Sequence, residues 1–344
     1  MPMHRLYDGP PYRLSPQVAV QDTNRPADLD WMKRRVVRSA WRDLPERRLR
    51  SIIMPLLFVL ALFGAVIPHG SPLFLRMAGR TMPKQPADPA TSDQDAFFVR
   101  HDLQSFAVAD GVGGYGQMSA VVSRGLLRNI IQGLDELGPA YQAEAAENAV
   151  NDLDNWYRSM SPCSGLHNGK FGGSTLLCAS LNPQLDGVLD FAHVGDCIAL
   201  VIRKSDRTNE LDFAFKLEPQ YHPDSMVPCQ LDFPLDRYSD EVSYSYALVQ
   251  PGDLIIAATD GILDNVFPRE LLALARRHHD NVDRLADAIL EMASTKAYAP
   301  TMVATPFSST YSDWSLPGGK PDDMTVVVAH VLASPDPGHD ADNL

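Results

Sequence analysis

The sequence predicts a layered α+β fold. Segments with strand patterns fall into two blocks, and amphipathic helical segments cluster together instead of alternating singly with the strands. A strictly alternating order would have predicted a parallel sheet, whereas this order favours the α+β class. The chain has 344 residues, of which 45% are hydrophobic and 21% charged. That composition is typical of a globular protein, so we expect one main folded domain with an N-terminal appendage.

The first 68 residues differ in character from the rest. Residues 1–51 are rich in arginine and carry 11 basic against 6 acidic side chains, and residues 52–68 contain an uncharged apolar run. As a helix, that run would span about 24 Å, slightly less than the ~30 Å hydrocarbon core of a membrane. We therefore interpret residues 52–68 as a candidate single transmembrane helix. The basic residues before it predict that the N-terminus stays in the compartment where the chain is made, while the rest of the chain crosses the membrane. Two alternatives remain open: a sorting segment removed after import, and a buried helix or misassigned start.

Proline and small polar residues dominate residues 69–87, and the same composition continues to Ser92. We interpret this segment as a linker to the main domain, which we place at residues 88–334. Residues 335–344 are expected to form a loose C-terminal tail.

The main domain begins with a β-hairpin pattern. Ala96–Arg100 and Ser105–Ala109 are short β-favouring runs joined by four residues. Apolar spacing of three and four residues then predicts helices over Met118–Leu137 and Tyr141–Met160. Residues 297–320 lack clear periodicity and are interpreted as a flap or as an inert surface loop. The remaining predicted elements are strands at Ser174–Leu181, Gly187–Val194, Cys197–Arg203, Val242–Val249 and Asp253–Thr259, helices at Arg269–His278 and Val282–Lys296, and a closing strand at Met324–Leu332.

Aspartates mark the ends of the predicted strands. Asp110, Asp196 and Asp260 each terminate an apolar strand, and Asp95 and Asp322 each precede one. In antiparallel pairing, strand ends and strand starts share one edge, so we expect these carboxylates to converge there. They would repel one another unless a cation lay between them. Taken singly, each also fits a turn, because Asp-Gly and Gly-Asp are common turn signals.

The types of side chain in the predicted cluster, and the net charge of the main domain, exclude some classes of function. A cluster of carboxylates without histidine or cysteine favours Mg²⁺ or Mn²⁺ over zinc or copper. Two such ions could activate a water and neutralise a phosphoryl group. Beyond residue 51 the chain holds 19 basic and 37 acidic side chains, and this acidic body disfavours binding to nucleic acid. The four cysteines lack the spacing of a zinc knuckle and are interpreted as free thiols.

Six short motifs resemble those of a known family. In chain order they are DQDAFF (93–98), VADGVGGYG (108–116), GGSTLL (172–177), HVGDC (193–197), ATDGILDNV (258–266) and GGKPDDMTVVVA (318–329). Over roughly residues 88–334 this ordered set resembles the metal-dependent type-2C protein serine/threonine phosphatases. GVGGYG, GGKPDD and QYHPDSMVPCQL are also similar to the mitochondrial branch of that family linked to coenzyme-Q biosynthesis. The residues of the last motif that carry this likeness are Gln220, His222, Pro228, Gln230 and Leu231.

The resemblance implies a fold, a metal centre and a mechanism. The fold would be a β-sandwich of two antiparallel sheets flanked by pairs of helices. A hydroxide bridging two Mn²⁺ or Mg²⁺ ions would attack the phosphorus of a phosphorylated protein directly, without a phosphoenzyme. The implied site residues are Asp110 bridging both ions, the Gly111 carbonyl on one ion, Asp260 and Asp322 completing the other, Asp95 in the outer shell, and Asp196 with Asp264 at a weaker third ion. We expect a mitochondrial monomer.

Two positions depart from the family pattern. Many members hold the substrate phosphate with an arginine upstream of the first acidic motif, but the nearest basic residue before Asp95 is Lys84. Gln94 stands where the family often has an acidic residue. His193 and His222 are interpreted as structural. The main alternative function is a pseudophosphatase that binds phosphoproteins without turnover, and a second is a membrane-anchored domain whose aspartates only form turns.

Overall fold

The computed structural model describes residues 72–84, 93–159, 170–223, 225–236, 239–299, 303–310 and 318–334. Within these residues the chain forms two five-stranded antiparallel sheets and a short two-stranded sheet. Pairs of helices cover the outer faces of the two large sheets. The predicted β-sandwich with flanking helix pairs is therefore confirmed.

The first large sheet has the strand order β1-β12-β11-β7-β8, and the second has the order β10-β6-β5-β3-β2. The small third sheet pairs β4 with β9. The strands are β1 (Leu73–Met82), β2 (Ala96–Arg100), β3 (Ser105–Ala109), β4 (Gly172–Ser174), β5 (Leu176–Leu181), β6 (Val188–Val194), β7 (Ile198–Lys204), β8 (Leu211–Lys216), β9 (Leu231–Phe233), β10 (Ser243–Leu248), β11 (Leu254–Ala258) and β12 (Met324–Ala333).

Two long helices pack on the second sheet, and two helices pack on the first. The helices are α1 (Gln117–Leu137), α2 (Gln142–Ser159), α3 (Asp260–Leu263), α4 (Pro268–His278), α5 (Val282–Ala297) and α6 (Pro306–Thr310). The buried stripe of α1 includes Val122, Leu126 and Ile130, which follow the three- and four-residue spacing that predicted this helix. The central strands of each sheet are therefore buried on both faces, by the other sheet and by a helix pair.

The central core lies between the two sheets. Phe106 and Val108 of β3 point into it from the second sheet, and Val327 of β12 points into it from the first. Each of these side chains is fully buried. Because β12 is covered on both faces, its first six residues are buried without interruption, which explains why its sequence reads as a continuous apolar run.

One sequence prediction was wrong. Residues 69–87 were interpreted as a linker, but β1 (Leu73–Met82) pairs with β12 along its whole length. The prolines that suggested a linker, Pro72 and Pro83, directly flank the strand and do not interrupt it. Proline cannot donate to the ladder, so it is found at strand boundaries, where no ladder hydrogen bond is lost. The folded domain therefore begins before residue 88.

Smaller differences concern the short elements. The predicted strand Ser174–Leu181 is divided at Thr175, whose amide donates to the Asp110 carbonyl instead of to the ladder (2.8 Å). The strand β8 was not predicted. Asp260 does not simply end β11, because it begins the one-turn helix α3. Within 297–320 the structure describes α6, whose Phe307 amide donates to the Asp264 carbonyl (3.0 Å).

The candidate membrane span at 52–68 lies outside the described residues, as does the proposed tail at 335–344. Among the residues that the structure describes, no helix is both long enough and apolar enough to cross a membrane.

Candidate metal centre

The predicted strand-end aspartates meet at one edge of the sandwich. Asp95 and Asp110 come from the second sheet, where they flank the paired residues Ala96 and Ala109 of the β2–β3 hairpin. Asp260 and Asp322 come from the first sheet, after β11 and before β12. Asp196 follows β6. The prediction that antiparallel pairing brings these carboxylates together is confirmed. We call this group, with Asp264, the acidic edge.

Asp95 and Asp110, which flank the β2–β3 hairpin, lie in an environment that disfavours charge: Asp95 is buried and Asp110 is partly buried. Burial raises the pKa of Asp110 well above its usual value, and the charges of Asp95, Asp260 and Asp196 raise it further. Burial likewise raises the pKa of Asp95, to which the charge of Asp323 adds. Each carboxylate thus carries an electrostatic cost that a cation between them would remove.

Asp95 also leaves one oxygen without a partner. Its Oδ2 accepts a hydrogen bond from the Thr259 hydroxyl (2.9 Å). Its Oδ1 is buried and has no hydrogen-bond partner among the described residues. A buried, unpaired carboxylate oxygen is costly, and it is suited to a water in the outer shell of a metal ion.

Lys320 lies in the middle of the acidic edge. Its Nζ is 2.6 Å from Asp260 Oδ2, 2.7 Å from Asp264 Oδ2 and 3.2 Å from Asp322 Oδ2. Burial lowers the pKa of Lys320, but these three carboxylates outweigh burial and raise it. Asn265 fixes the backbone here, because its side chain accepts from the Lys320 amide (3.0 Å) and donates to the Lys320 carbonyl (2.9 Å).

Asp196 and Asp264 form the outer part of the acidic edge. Burial raises the pKa of Asp196 to about 7, with a contribution from Asp260, while Lys320 opposes the rise. Burial and Asp260 also raise the pKa of Asp264. A cation near either carboxylate would therefore relieve part of this repulsion.

Two glycines allow the backbone to approach closely at this edge. A Cβ on Gly261 would lie 1.9 Å from the Asp323 carbonyl oxygen, and a Cβ on Gly111 would lie 2.7 Å from the Gln94 carbonyl oxygen. No side chain fits either position. The glycines of both Asp-Gly pairs are thus required by close packing against the backbone of Asp323 and of Gln94.

Lys84 lies at the acidic edge although it precedes the first acidic motif. Its Nζ is 3.5 Å from Asp322 Oδ1. Its position is fixed by Asp323, whose carboxylate accepts from the Lys84 amide and from the Gln94 amide. The sequence predicted Asp322 as a site residue but missed the role of Asp323, which joins the end of β1 to the start of β12.

The two histidines considered from the sequence lie outside the acidic edge. His193 is buried in β6, where its Nε2 contacts the Gln220 side chain (3.0 Å). Burial lowers its pKa to about 4, so it is neutral at physiological pH. His222 pairs with Asp240 (3.2 Å). Neither contacts a carboxylate of the acidic edge.

Three residues of the site were not predicted from the sequence: Lys320, Asn265 and Thr259. Each lies inside a motif that carried the resemblance, in ATDGILDNV or GGKPDDMTVVVA. Their contacts are made across 55 to 164 positions of sequence, so only the folded chain shows them.

The fold and the acidic edge together define a class of protein. Oxygen donors from two sheets, a buried unpaired carboxylate oxygen and close backbone approaches fit hard divalent cations such as Mg²⁺ or Mn²⁺. An antiparallel sandwich covered by helix pairs, with such an edge, is the architecture that the resemblance implied for metal-dependent phosphatases.

Comparisons with known proteins identify the family. The chain is 30% identical over 283 residues to probable protein phosphatase 2C 1 of Oryza sativa subsp. japonica, covering 72% of this chain and 73% of that protein. It is 30% identical over 254 residues to the protein phosphatase PTC7 homolog of Xenopus laevis, covering 70% and 81%. The chain belongs to the 2C family of metal-dependent protein serine/threonine phosphatases. The chain matches only 51% of the length of another relative, probable protein phosphatase 2C 55 of Arabidopsis thaliana. No protein-family model matches the chain.

Solved structures support the same fold. The photosystem II phosphatase PBCP is 27% identical, with a TM-score of 0.59 over 76% of this chain and 100% of that one. The catalytic domain of the phosphatase PstP, solved with 2 manganese ions, matches at 18% identity and a TM-score of 0.51 over 76% and 99%. The second likeness shows the fold alone.

Proposed function

We propose that this phosphatase hydrolyses phosphoserine and phosphothreonine in proteins at the acidic edge, with two Mn²⁺ or Mg²⁺ ions. The observation that carries the proposal is the convergence of Asp110 from one sheet with Asp260 and Asp322 from the other. Two ions bound there would supply an activated water nucleophile and neutralise charge on the phosphoryl group.

The chain's own residues have separable tasks in this proposal. Asp110 and the Gly111 carbonyl hold ions from the second sheet, and Asp260 with Asp322 holds them from the first. Asp95 orients water through its unpaired Oδ1, and Thr259 fixes its other oxygen. A third, weaker ion would use Asp196 and Asp264.

Lys84 and Lys320 bring positive charge to the same edge. The resemblance expects an upstream arginine that binds the substrate phosphate, and Lys84 lies 3.5 Å from a proposed metal ligand instead. An ammonium attracts a phosphate as a point charge but lacks the two-pronged geometry of arginine. Lys84 therefore supports phosphate binding with less control over orientation.

Hydrolysis of a phosphothreonine peptide by the full chain tests the proposal. Turnover is expected with Mn²⁺, none with EDTA, and a loss of about a hundredfold or more in Asp260→Asn. The matched control is Asp206→Asn, which changes an exposed aspartate in the turn before β8. Wild-type rates in Asp260→Asn would refute the metal assignment. Phosphopeptide binding without turnover would instead favour the pseudophosphatase alternative.

We further propose that the protein is a mitochondrial monomer anchored by residues 52–68, with residues 1–51 as the flanking targeting segment. Support comes from the arginine-rich start and the uncharged apolar run, and from the similarity to the PTC7 homolog. After carbonate extraction of mitochondria, the full chain should stay in the pellet. Its release into the supernatant without cleavage would contradict a spanning helix.

A further inference from the structure

A second group of metal-binding side chains lies outside the acidic edge, on the loops around β9. One nitrogen, one sulfur and one oxygen donor, from His222, Cys229 and Asp240, lie within 4.8 Å of one another. His222 Nε2 is 3.2 Å from Asp240 Oδ2, and the Cys229 thiol lies near the same carboxylate, which influences its pKa. We propose that these three side chains bind a zinc ion, with a water as the fourth ligand.

The donor types select a different ion from the acidic edge. The acidic edge offers only oxygen, which suits Mg²⁺ and Mn²⁺. The set of His222, Cys229 and Asp240 adds an imidazole and a thiolate, the ligands that favour zinc. Zinc binds such donors at about 2.0–2.3 Å, so the three atoms need to close by only about 1 Å, which side-chain rotation allows.

Backbone hydrogen bonds hold the donors in place. The His222 amide donates to the Val227 carbonyl (3.0 Å), and this closes the turn between the histidine and the cysteine. The Gln230 amide donates to Asp240 Oδ2 (2.8 Å) and orients that carboxylate. Little chain ordering is therefore needed when the ion binds, and a bond to a ligating carboxylate is a typical outer-shell contact.

Zinc binding would displace the proton of the Cys229 thiol. Burial and the Asp240 carboxylate raise the pKa of the Cys229 thiol, so the thiol is protonated in the metal-free protein. Zinc takes the place of that proton, which goes to solvent as the sulfur becomes a thiolate. The ion also replaces the single His222–Asp240 contact by bonds to both residues.

The zinc site adjoins the turn that carries Asp196. Gln220 pairs with both backbone groups of Gly195: its amide donates to the Gly195 carbonyl (2.8 Å), and its side-chain oxygen accepts from the Gly195 amide (3.1 Å). A Cβ on Gly195 would lie 2.8 Å from the Cys229 carbonyl oxygen. A zinc ion on Cys229 would therefore stabilise the backbone beside Asp196.

Cobalt spectroscopy on the full chain tests this site. Metal-stripped protein is titrated with Co²⁺, whose bond to a thiolate gives a charge-transfer band in the near ultraviolet. We expect one equivalent of Co²⁺ to produce the band and one equivalent of Zn²⁺ to remove it. The band should persist in Asp260→Asn, which disables the acidic edge, so this outcome is independent of phosphatase activity.

Three variants assign the thiolate. Cys229→Ser and His222→Ala should weaken Zn²⁺ binding roughly a hundredfold, and Cys229→Ser should abolish the band. The control is Cys197→Ser, whose thiol lies beside Asp110 and Asp196, and it should keep the band. A folded wild-type protein without the band, or a band lost only in Cys197→Ser, would overturn the proposal.

Zn²⁺ should also slow hydrogen exchange at residues 195–197, and unchanged exchange would refute the coupling to Asp196.

Discussion

Lys320 places its ammonium among three carboxylates that we assign to metal ions. Because its Nζ contacts Asp260, Asp264 and Asp322, it must leave at least some of these contacts when the ions bind. Lys320→Met removes this competing charge. We expect Mn²⁺ to bind roughly tenfold more tightly, about 1.4 kcal/mol, measured by isothermal titration calorimetry.

The matched control for this variant is Lys204→Met, which removes an exposed lysine at the end of β7. Its Mn²⁺ affinity should equal that of the wild type. Unchanged or weaker binding in Lys320→Met would show that Lys320 does not compete with the ions.

Asp196 gives the metal-free protein a characteristic pH dependence. Burial raises its pKa from 3.8 to about 7. Between these values the folded state holds a proton that the unfolded state has lost, so stability is greatest at low pH and falls as pH rises through about 7. In EDTA, the Tm should be lower at about pH 8 than at about pH 5.

Asp196→Asn should reduce this difference in Tm, whereas Asp206→Asn should leave it unchanged. Part of the slope should remain in Asp196→Asn, because burial also raises the pKa of Asp95 and Asp110. Thermal scans in EDTA at the two pH values provide the measurement. An equal slope in Asp196→Asn would contradict the assignment.

The sequence predicted the carboxylates of the acidic edge better than their partners. Asp110 and Asp260 could be placed because each directly follows an apolar strand, and antiparallel pairing fixes which ends meet. Lys320 could not be placed in this way. It lies in a segment without regular periodicity, and its position depends on Asn265, 55 residues earlier in the chain.

At the scale of elements, β1 was not predicted from the sequence, although it forms one edge of the first sheet. Its prolines suggested a linker, yet its ten residues pair with β12. Leu75 and Met77 are buried in the core between the sheets. Its buried and exposed positions do not alternate regularly, so the strand is recognised only when its partner, here about 250 positions later, is known.

A chain that begins at residue 88 should therefore not fold cooperatively, whereas one that begins at residue 69 should. Loss of β1 exposes an edge of β12 and removes two core side chains worth about 2–5 kcal/mol each. That loss approaches the whole stability of a typical domain, about 5–15 kcal/mol. Urea unfolding followed by circular dichroism compares the two chains. Equal midpoints would refute a structural role for β1.

At the scale of the molecule, the acidic edge is also a seam between the two sheets. Asp110 belongs to the second sheet, and Asp260 and Asp322 belong to the first. In the metal-free state their charges oppose closure of the sandwich at this edge, although Lys320 offsets part of the repulsion. Ions bound by ligands from both sheets would convert this repulsion into a cross-link, so metal binding should stabilise the whole domain.

Mg²⁺ should raise the Tm of the full chain accordingly. At a free concentration a hundredfold above its Kd, an ion that binds only the folded state adds about 2.7 kcal/mol of stability, or roughly 5–10 °C for a domain of this size. Asp110→Asn and Asp260→Asn should each lose most of this shift, because each removes a ligand from one side of the seam. Cys229→Ser should keep it, since Mg²⁺ disfavours a site with sulfur. Differential scanning calorimetry with Mg²⁺ and with EDTA provides the measurement, and an equal shift in wild type and Asp260→Asn would show that the ion binds elsewhere.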